Sequence, residues 1–137
     1  MNFLLDTNIC IYFLKGKFEL VGKIEKIGID SGFISEITIA ELKFGIENST
    51  FPGKNRAVVE DMIKRFKHLP IFNVLDVYAK EKARLKKEGK IVDDLDLFIG
   101  ATAIANDMVL VTNNERHFER LNNIRIENWT NNNSSTL

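Results

Sequence analysis

Short apolar runs set between helix-length stretches constrain the fold of this chain most. Phe3-Leu4-Leu5, Gly32-Phe33-Ile34-Ser35, Ile71-Phe72-Asn73-Val74, Met108-Val109-Leu110-Val111 and Ile124-Arg125-Ile126 each read as a brief strand. The stretches between them carry helical spacing. They run from Ile9 to Leu14 (behind the cap residues Thr7 and Asn8), Phe18 to Ile27, Ile37 to Glu47, Arg56 to His68, Val77 to Glu88, and Leu95 to Ala105, with a shorter one from Asn114 to Leu121. Pro52-Gly53 marks a loop, and Gly89 ends the helix before it. Strands alternating with helices predict an α/β fold, a parallel sheet with helices on both faces. No repeat or linker interrupts the pattern. The 137 residues suit one domain, expected over 1–129. The polar, Asn- and Ser-rich tail 130–137 is expected to be disordered.

Apolar residues make up 45% and charged residues 28%, the balance of an ordinary globular protein. Lys plus Arg equals Asp plus Glu, 19 each, so the net charge is zero. The whole-molecule field therefore gives no support to nucleic-acid binding, which needs a local basic patch or metal ions bridging acids to phosphates. Zero net charge also favours a partner or self-association. Cys10 is the only cysteine, which excludes an intrachain disulfide and a cysteine zinc site. Within Ile9-Cys10-Ile11 it reads as a buried thiol. Asp6 interrupts the opening apolar run too early for a signal peptide. No run approaches the roughly 20 apolar residues that span a bilayer. The expected compartment is cytoplasmic, with no membrane association.

Three acids sit among apolar neighbours. Asp6 directly follows a strand, where open α/β sheets bind ligands; capping the next helix explains it as well. Glu41 shares a helix face with Ile37, Phe44 and Gly45, so an unpaired charge there is expected to be costly. Its alternative is pairing with a buried Lys or Arg. Asp96 shares a face of an almost wholly apolar helix with Ile99, Gly100 and Ala103, and its alternative is stabilisation of the helix N-terminus, a role that suits Asp93 or Asp94 better. Each acid has a glycine one turn on or a strand end beside it. Gathering carboxylates requires a cation, and hard oxygen donors suit Mg²⁺, or Mn²⁺ in its place. Thr112 and Asn113 leave a strand end as Asp6 does, and are placed to orient Asp6 or a metal-bound water; turn formation is the other reading.

At these residues the chain resembles the PIN-domain nucleases, specifically the VapC toxins of bacterial toxin–antitoxin pairs. The matching stretches are Leu4 to Ile9, Ile37 to Gly45, Asp94 to Ala103, and Leu110 to Asn114, with Phe118-Glu119-Arg120 and Ile126-Glu127-Asn128-Trp129 behind them. The resemblance implies a three-layer domain with a central five-stranded parallel sheet, and a Mg²⁺-dependent endoribonuclease. It implies metal binding by Asp6, Glu41 and Asp96, with Asp94 as a supporting acid. Many members carry an Asp where this chain has Asn114, which leaves the fourth ligand open. Thr7, Asn8, Thr112, Asn113, Asn114, Glu115 and Glu119 are candidates for that position or for orienting roles. A homodimer is implied, and a VapB-type antitoxin lying over the active-site groove, with DNA reached only through that antitoxin. The apolar faces of the first two helices and of Arg56 to His68 are the expected groove walls. Lys86, Lys87, Lys90 and Arg116 are candidate RNA contacts, against the alternative of a solvated helix face. His68 and His117 lack ligand spacing and neither is assigned to catalysis.

Two other function classes stay in view. One is an α/β phosphatase or phospho-receiver using Asp6 as nucleophile, although Asn8 stands where a phosphatase wants a second Asp. The other is a catalytically weak binding module, which Asn114 leaves open.

Overall fold

The computed structural model describes residues 1–131. Its centre is built from strands that are mostly apolar on both faces, as a parallel sheet covered on both sides requires. β1 (Phe3–Leu5) pairs with β2 (Gly32–Ser35) on one side and β4 (Val109–Val111) on the other. β3 (Lys67–Leu69) and β5 (Arg125–Glu127) form the edges, so the order is β3-β2-β1-β4-β5, parallel throughout. Leu4 stands opposite Phe33 and Leu110, and Leu5 opposite Val111.

The helices are α1 (Thr7–Leu14), α2 (Leu20–Ile27), α3 (Glu36–Glu47), α4 (Pro52–Arg65), α5 (Leu75–Lys87), α6 (Asp94–Ala105) and the single-turn α7 (Glu115–Phe118). Strand alternation divides the core in two. Phe3, Leu5, Val109 and Val111 pack with Ile9 and Cys10 of α1, Leu20 and Ile24 of α2, and Val59, Met62 and Ile63 of α4. Leu4 and Leu110 point the other way, onto Leu97, Ile99 and Ala103 of α6 and Phe118 of α7. This is the expected three-layer α/β architecture. No helix among the described residues is long and apolar enough to cross a membrane.

Three expectations need correction. The third strand lies at Lys67–Leu69 and not at Ile71 to Val74. An edge strand has a ladder partner on one side only, and here Lys67 and His68 face water, so no apolar run announces it. Pro70 follows the strand at once. Phe72–Val74 is instead a 3-10 turn that buries Val74 and leaves Phe72 84% exposed. Pro52-Gly53 is not a loop but the start of α4, where proline's missing N–H costs nothing. That helix ends at Arg65, short of His68. The expected disorder of the tail falls largely on residues 132–137, outside the described residues; Thr130 is held by the Asn128 side chain.

The chain moves from β1 outward to β2 and β3, then returns to build β4 and β5 on the other side. Its direction of travel across the sheet therefore reverses between β1 and β4. A crevice at their carboxyl ends is the expected ligand position in such a sheet.

Candidate active site

Asp6 and Thr112 stand at that crevice, one just past β1 and the other just past β4. The Asp6 backbone N–H donates to the carbonyl of Val111 at 3.0 Å, so the ladder carries both residues to the sheet rim. Asp6 is the N-cap of α1: its Oδ1 accepts from the Thr7 backbone N–H at 2.7 Å. Its Oδ2 accepts from the Thr112 hydroxyl at 2.8 Å. Capping and site placement thus coexist. Asp6 is only 3% exposed. Burial pushes its carboxyl from an ordinary 3.8 up to about 6; the Thr112 and Thr7 bonds pull it down, and the charges of Asp96 and Glu41 push it up. Burial, then the Asp6 charge, also raises the Cys10 thiol, which is a buried free thiol as expected.

Glu41 is brought in by α3. Ser35 caps that helix by accepting from the Ile37 N–H. Thr38, Leu42 and Ile46 form its buried stripe, and this corrects the reading of the Glu41 face. Ile37 and Glu41 are half-buried, while Phe44 and Gly45 are exposed, so the face lines an open cleft rather than the core. The Thr7 hydroxyl donates to Glu41 Oε1 at 2.6 Å and lies 3.0 Å from the Thr38 hydroxyl. Thr7 therefore links α1 to α3 through its side chain and touches Asp6 through its backbone.

Asp96 comes from the first turn of α6, whose N-cap is Asp93, accepting from the Leu95 N–H at 3.2 Å. Burial raises the Asp96 carboxyl; a bond from His117 lowers it and the Asp93 charge raises it. His117 Nδ1 lies 3.5 Å from Asp96 Oδ2. The sequence reading missed this contact because it comes from α7, with none of the regular spacing that marks a ligand pair. Gly100, one turn on from Asp96, serves helix packing. An added Cβ there would meet Leu121 Cδ2 at 3.1 Å and Phe118 Cδ1 at 3.2 Å, so the glycine lets α6 approach the last turns of the chain.

The remaining candidates divide. Asp94 is engaged elsewhere: its Oδ1 accepts from Lys82 at 2.8 Å and from Tyr78 at 2.8 Å, which lowers its pKa. Asn8 is half-buried and lines the cleft with Thr7 and Glu41. Asn113 donates to the Tyr12 hydroxyl at a long 3.4 Å, and its buried Oδ1 has no partner among the described residues. Asn114 meets the site through its backbone, donating to Thr112 Oγ1 at 3.0 Å. Glu115 accepts from Asn128 at 3.3 Å, while Glu119 and Arg116 are exposed on and just after α7. Lys86 and Lys90 line a separate pocket of about 430 Å³ over Leu85, Val92 and Leu97, which shares no lining residue with the acid cleft. Lys87 is exposed nearby. His68 lies outside the site, 2.7 Å from the Ile63 carbonyl.

Three carboxylates from three elements therefore lie about the switch point and offer oxygen donors, the set that hard divalent cations select. Among the described residues no three acidic or histidine groups are close enough to share one ion as they stand. Beyond the larger effect of burial, the charges of Asp96 and Glu41 each nonetheless raise the Asp6 carboxyl. A groove of about 460 Å³ runs away from Glu41 between α1, α3 and α4, floored by Ile11, Leu42, Ile46 and Val59 and rimmed by Lys15 and Lys54. A second, of about 420 Å³, continues between α1 and α4 past Phe13 and Met62. α1 and α4 are groove walls as expected; α3 joins them, and α2 lines neither.

The PIN domain pattern matches residues 3–124. The chain is 36% identical to ribonuclease VapC2 of Haemophilus influenzae, with 94% of this chain and 98% of that protein covered. It is 38% identical to the tRNA(fMet)-specific endonuclease VapC of Salmonella typhimurium, at the same coverage. The crystal structure of DNA-bound VapBC from Salmonella typhimurium superposes with a TM-score of 0.88 at 38% identity, over 94% of this chain and 98% of that one.

Proposed function

The chain belongs to the PIN-domain family, among the VapC ribonucleases, and we propose that it is a metal-dependent endoribonuclease acting as the toxin of a VapBC-type pair. The observation that carries this reading is the joining of Asp6 and Glu41 through Thr7 at the switch point, with the Asp96 carboxylate close enough for its charge to act on Asp6. In this reading the three carboxylates hold Mg²⁺ or Mn²⁺. Such an ion lowers the pKa of a bound water and offsets negative charge on a phosphoryl oxygen.

The chain's own residues supply the rest. Thr112 fixes the direction of Asp6 Oδ2, and the Thr7 N–H fixes Oδ1, so this carboxylate is preorganised. Thr7 holds Glu41 through its hydroxyl, and His117 stands beside Asp96, so both carboxylates that would join Asp6 in holding an ion are steered by a neighbouring side chain. A bound cation would favour the ionised forms of Asp6 and Asp96, whose carboxyls burial raises. Lys86, Lys87, Lys90 and Arg116 are proposed to hold RNA phosphates outside the cleft. Asp6 as a phosphatase nucleophile is disfavoured, because Asn8 stands where that chemistry wants a second Asp.

The same reading assigns the apolar groove between α1, α3 and α4 to a VapB-type antitoxin. Its occupant would pass Glu41, and so cover the acids while it is bound. DNA is then contacted by the complex through the antitoxin, in keeping with the DNA-bound Salmonella relative. A homodimer and a cytoplasmic location complete the proposal. Expression in bacteria tests it. Wild-type protein should arrest growth, Asp96→Asn should not, and co-expression of the cognate antitoxin should relieve the arrest. Unimpaired growth with the wild type, or full arrest with Asp96→Asn, would count against it.

A further inference from the structure

The acid site opens into a cleft of about 450 Å³ lined by Thr7, Asn8, Ile37, Glu41, Phe44 and Leu95, among others. That volume falls in the ordinary range for small-ligand sites, ~300–1,000 Å³. Two of its walls are apolar side chains left in water: Phe44 is 69% exposed and Leu95 is 42% exposed. Each is tied to a carboxylate by chain geometry. Phe44 lies one turn after Glu41 on α3, and Leu95 directly precedes Asp96 on α6.

The lining decides what fits. Among the described residues Glu41 is the only charged one in the lining, with no Lys, Arg or His beside it. The cleft therefore offers a phosphate group no cationic side chain of its own. A flat, uncharged, partly polar group suits the lining better: an aromatic ring presents its face to one side, and Asn8 and Thr7 offer amide and hydroxyl partners for an edge. We propose that this cleft holds the nucleobase next to the scissile phosphate, stacked on Phe44 and packed against Leu95. The inference rests on the ribonuclease reading of the neighbouring acids and names the part of the substrate that site selects. The zero net charge of the chain gives stacking added weight, because no global field supplies the affinity.

The test is binding of a fluorescent single-stranded oligoadenylate, and of the same backbone with abasic residues, in Ca²⁺ to separate binding from cleavage. The wild-type protein should prefer the base-bearing strand by about 5- to 150-fold, the range of one base–aromatic stack. Phe44→Ala and Phe44→Leu should erase most of that preference, and Phe44→Trp should keep it. Sedimentation of the same variants should show an unchanged oligomeric state. The proposal is overturned if the wild type does not distinguish the two strands, if Phe44→Ala preserves the preference, or if Phe44→Ala splits an oligomer that the wild type forms. A wild type that discriminates yet cleaves no RNA in Mg²⁺ would leave the base site standing and strike the nuclease reading alone.

Discussion

Asp6→Asn should make the metal-free protein more stable. Asp6 is 3% exposed, and burial with two nearby like charges raises its carboxyl from 3.8 to about 6. A group raised in the fold binds its proton more tightly folded than unfolded. Stability is therefore highest below the unfolded value and is lost as pH rises from about 4 through about 6. Above that window the ionised Asp6 costs the fold about 3 kcal/mol. Asparagine removes the charge and keeps a carbonyl for the Thr7 N–H. The Thr112 hydroxyl must turn to accept from the new amide, which forfeits about 1 kcal/mol. A net gain of about 1–3 kcal/mol remains, roughly 4–12 °C in Tm for a chain of this size. Thermal melts in EDTA between pH 4 and pH 8 measure it. The two proteins should converge at the acid end and separate as pH rises, with Asp96 adding a smaller slope of the same sign to both. Mn²⁺ should stabilise the wild type more than the variant. An Asp6→Asn protein that melts below the wild type in EDTA at pH 7 or above would refute the argument that this carboxylate is held against its own electrostatics.

Two other substitutions probe the scaffold of the site. Thr7→Val leaves Glu41 and Thr38 without their shared hydroxyl and should cost about 1–2 kcal/mol by chemical denaturation together with most RNA cleavage, whereas Thr7→Ser should retain both. Gly100→Ala sets a methyl 3.1 Å from Leu121 Cδ2 and 3.2 Å from Phe118 Cδ1, so denaturant melts should show a loss of about 1 kcal/mol where those side chains hold their places; a variant as stable as the wild type would mean that they give way freely.

Legibility in the sequence followed burial. β1 and β4 lie inside the sheet, so both faces of Phe3-Leu4-Leu5 and Val109-Leu110-Val111 are apolar and the runs stand out. β3 is covered less and paired once, and its Lys67 and His68 carry no strand signature. The apolar residues after it misled because Val74 is buried by a turn, not by a ladder. At the site, the acids were visible because each breaks an apolar pattern. The reason inferred for Glu41 was wrong in detail: its apolar neighbours face an open cleft, and periodicity alone cannot tell a buried face from a functional one. His117 and the Lys82–Tyr78–Asp94 cluster depend on how α5, α6 and α7 meet, and no spacing along one element reports that.

The central claim is that Asp6, Glu41 and Asp96 act together, through a divalent ion, to cut RNA. The most direct measurement incubates the purified protein with total RNA in Mg²⁺ or in EDTA, beside Asp6→Asn, Glu41→Gln and Asp96→Asn, and maps the new RNA ends. Discrete internal cleavage by the wild type in Mg²⁺ is expected, with none in EDTA and losses of at least ~100-fold in each variant. Cleavage that persists in EDTA, or in all three variants, would contradict the account, as would a folded wild-type protein that leaves RNA intact in Mg²⁺.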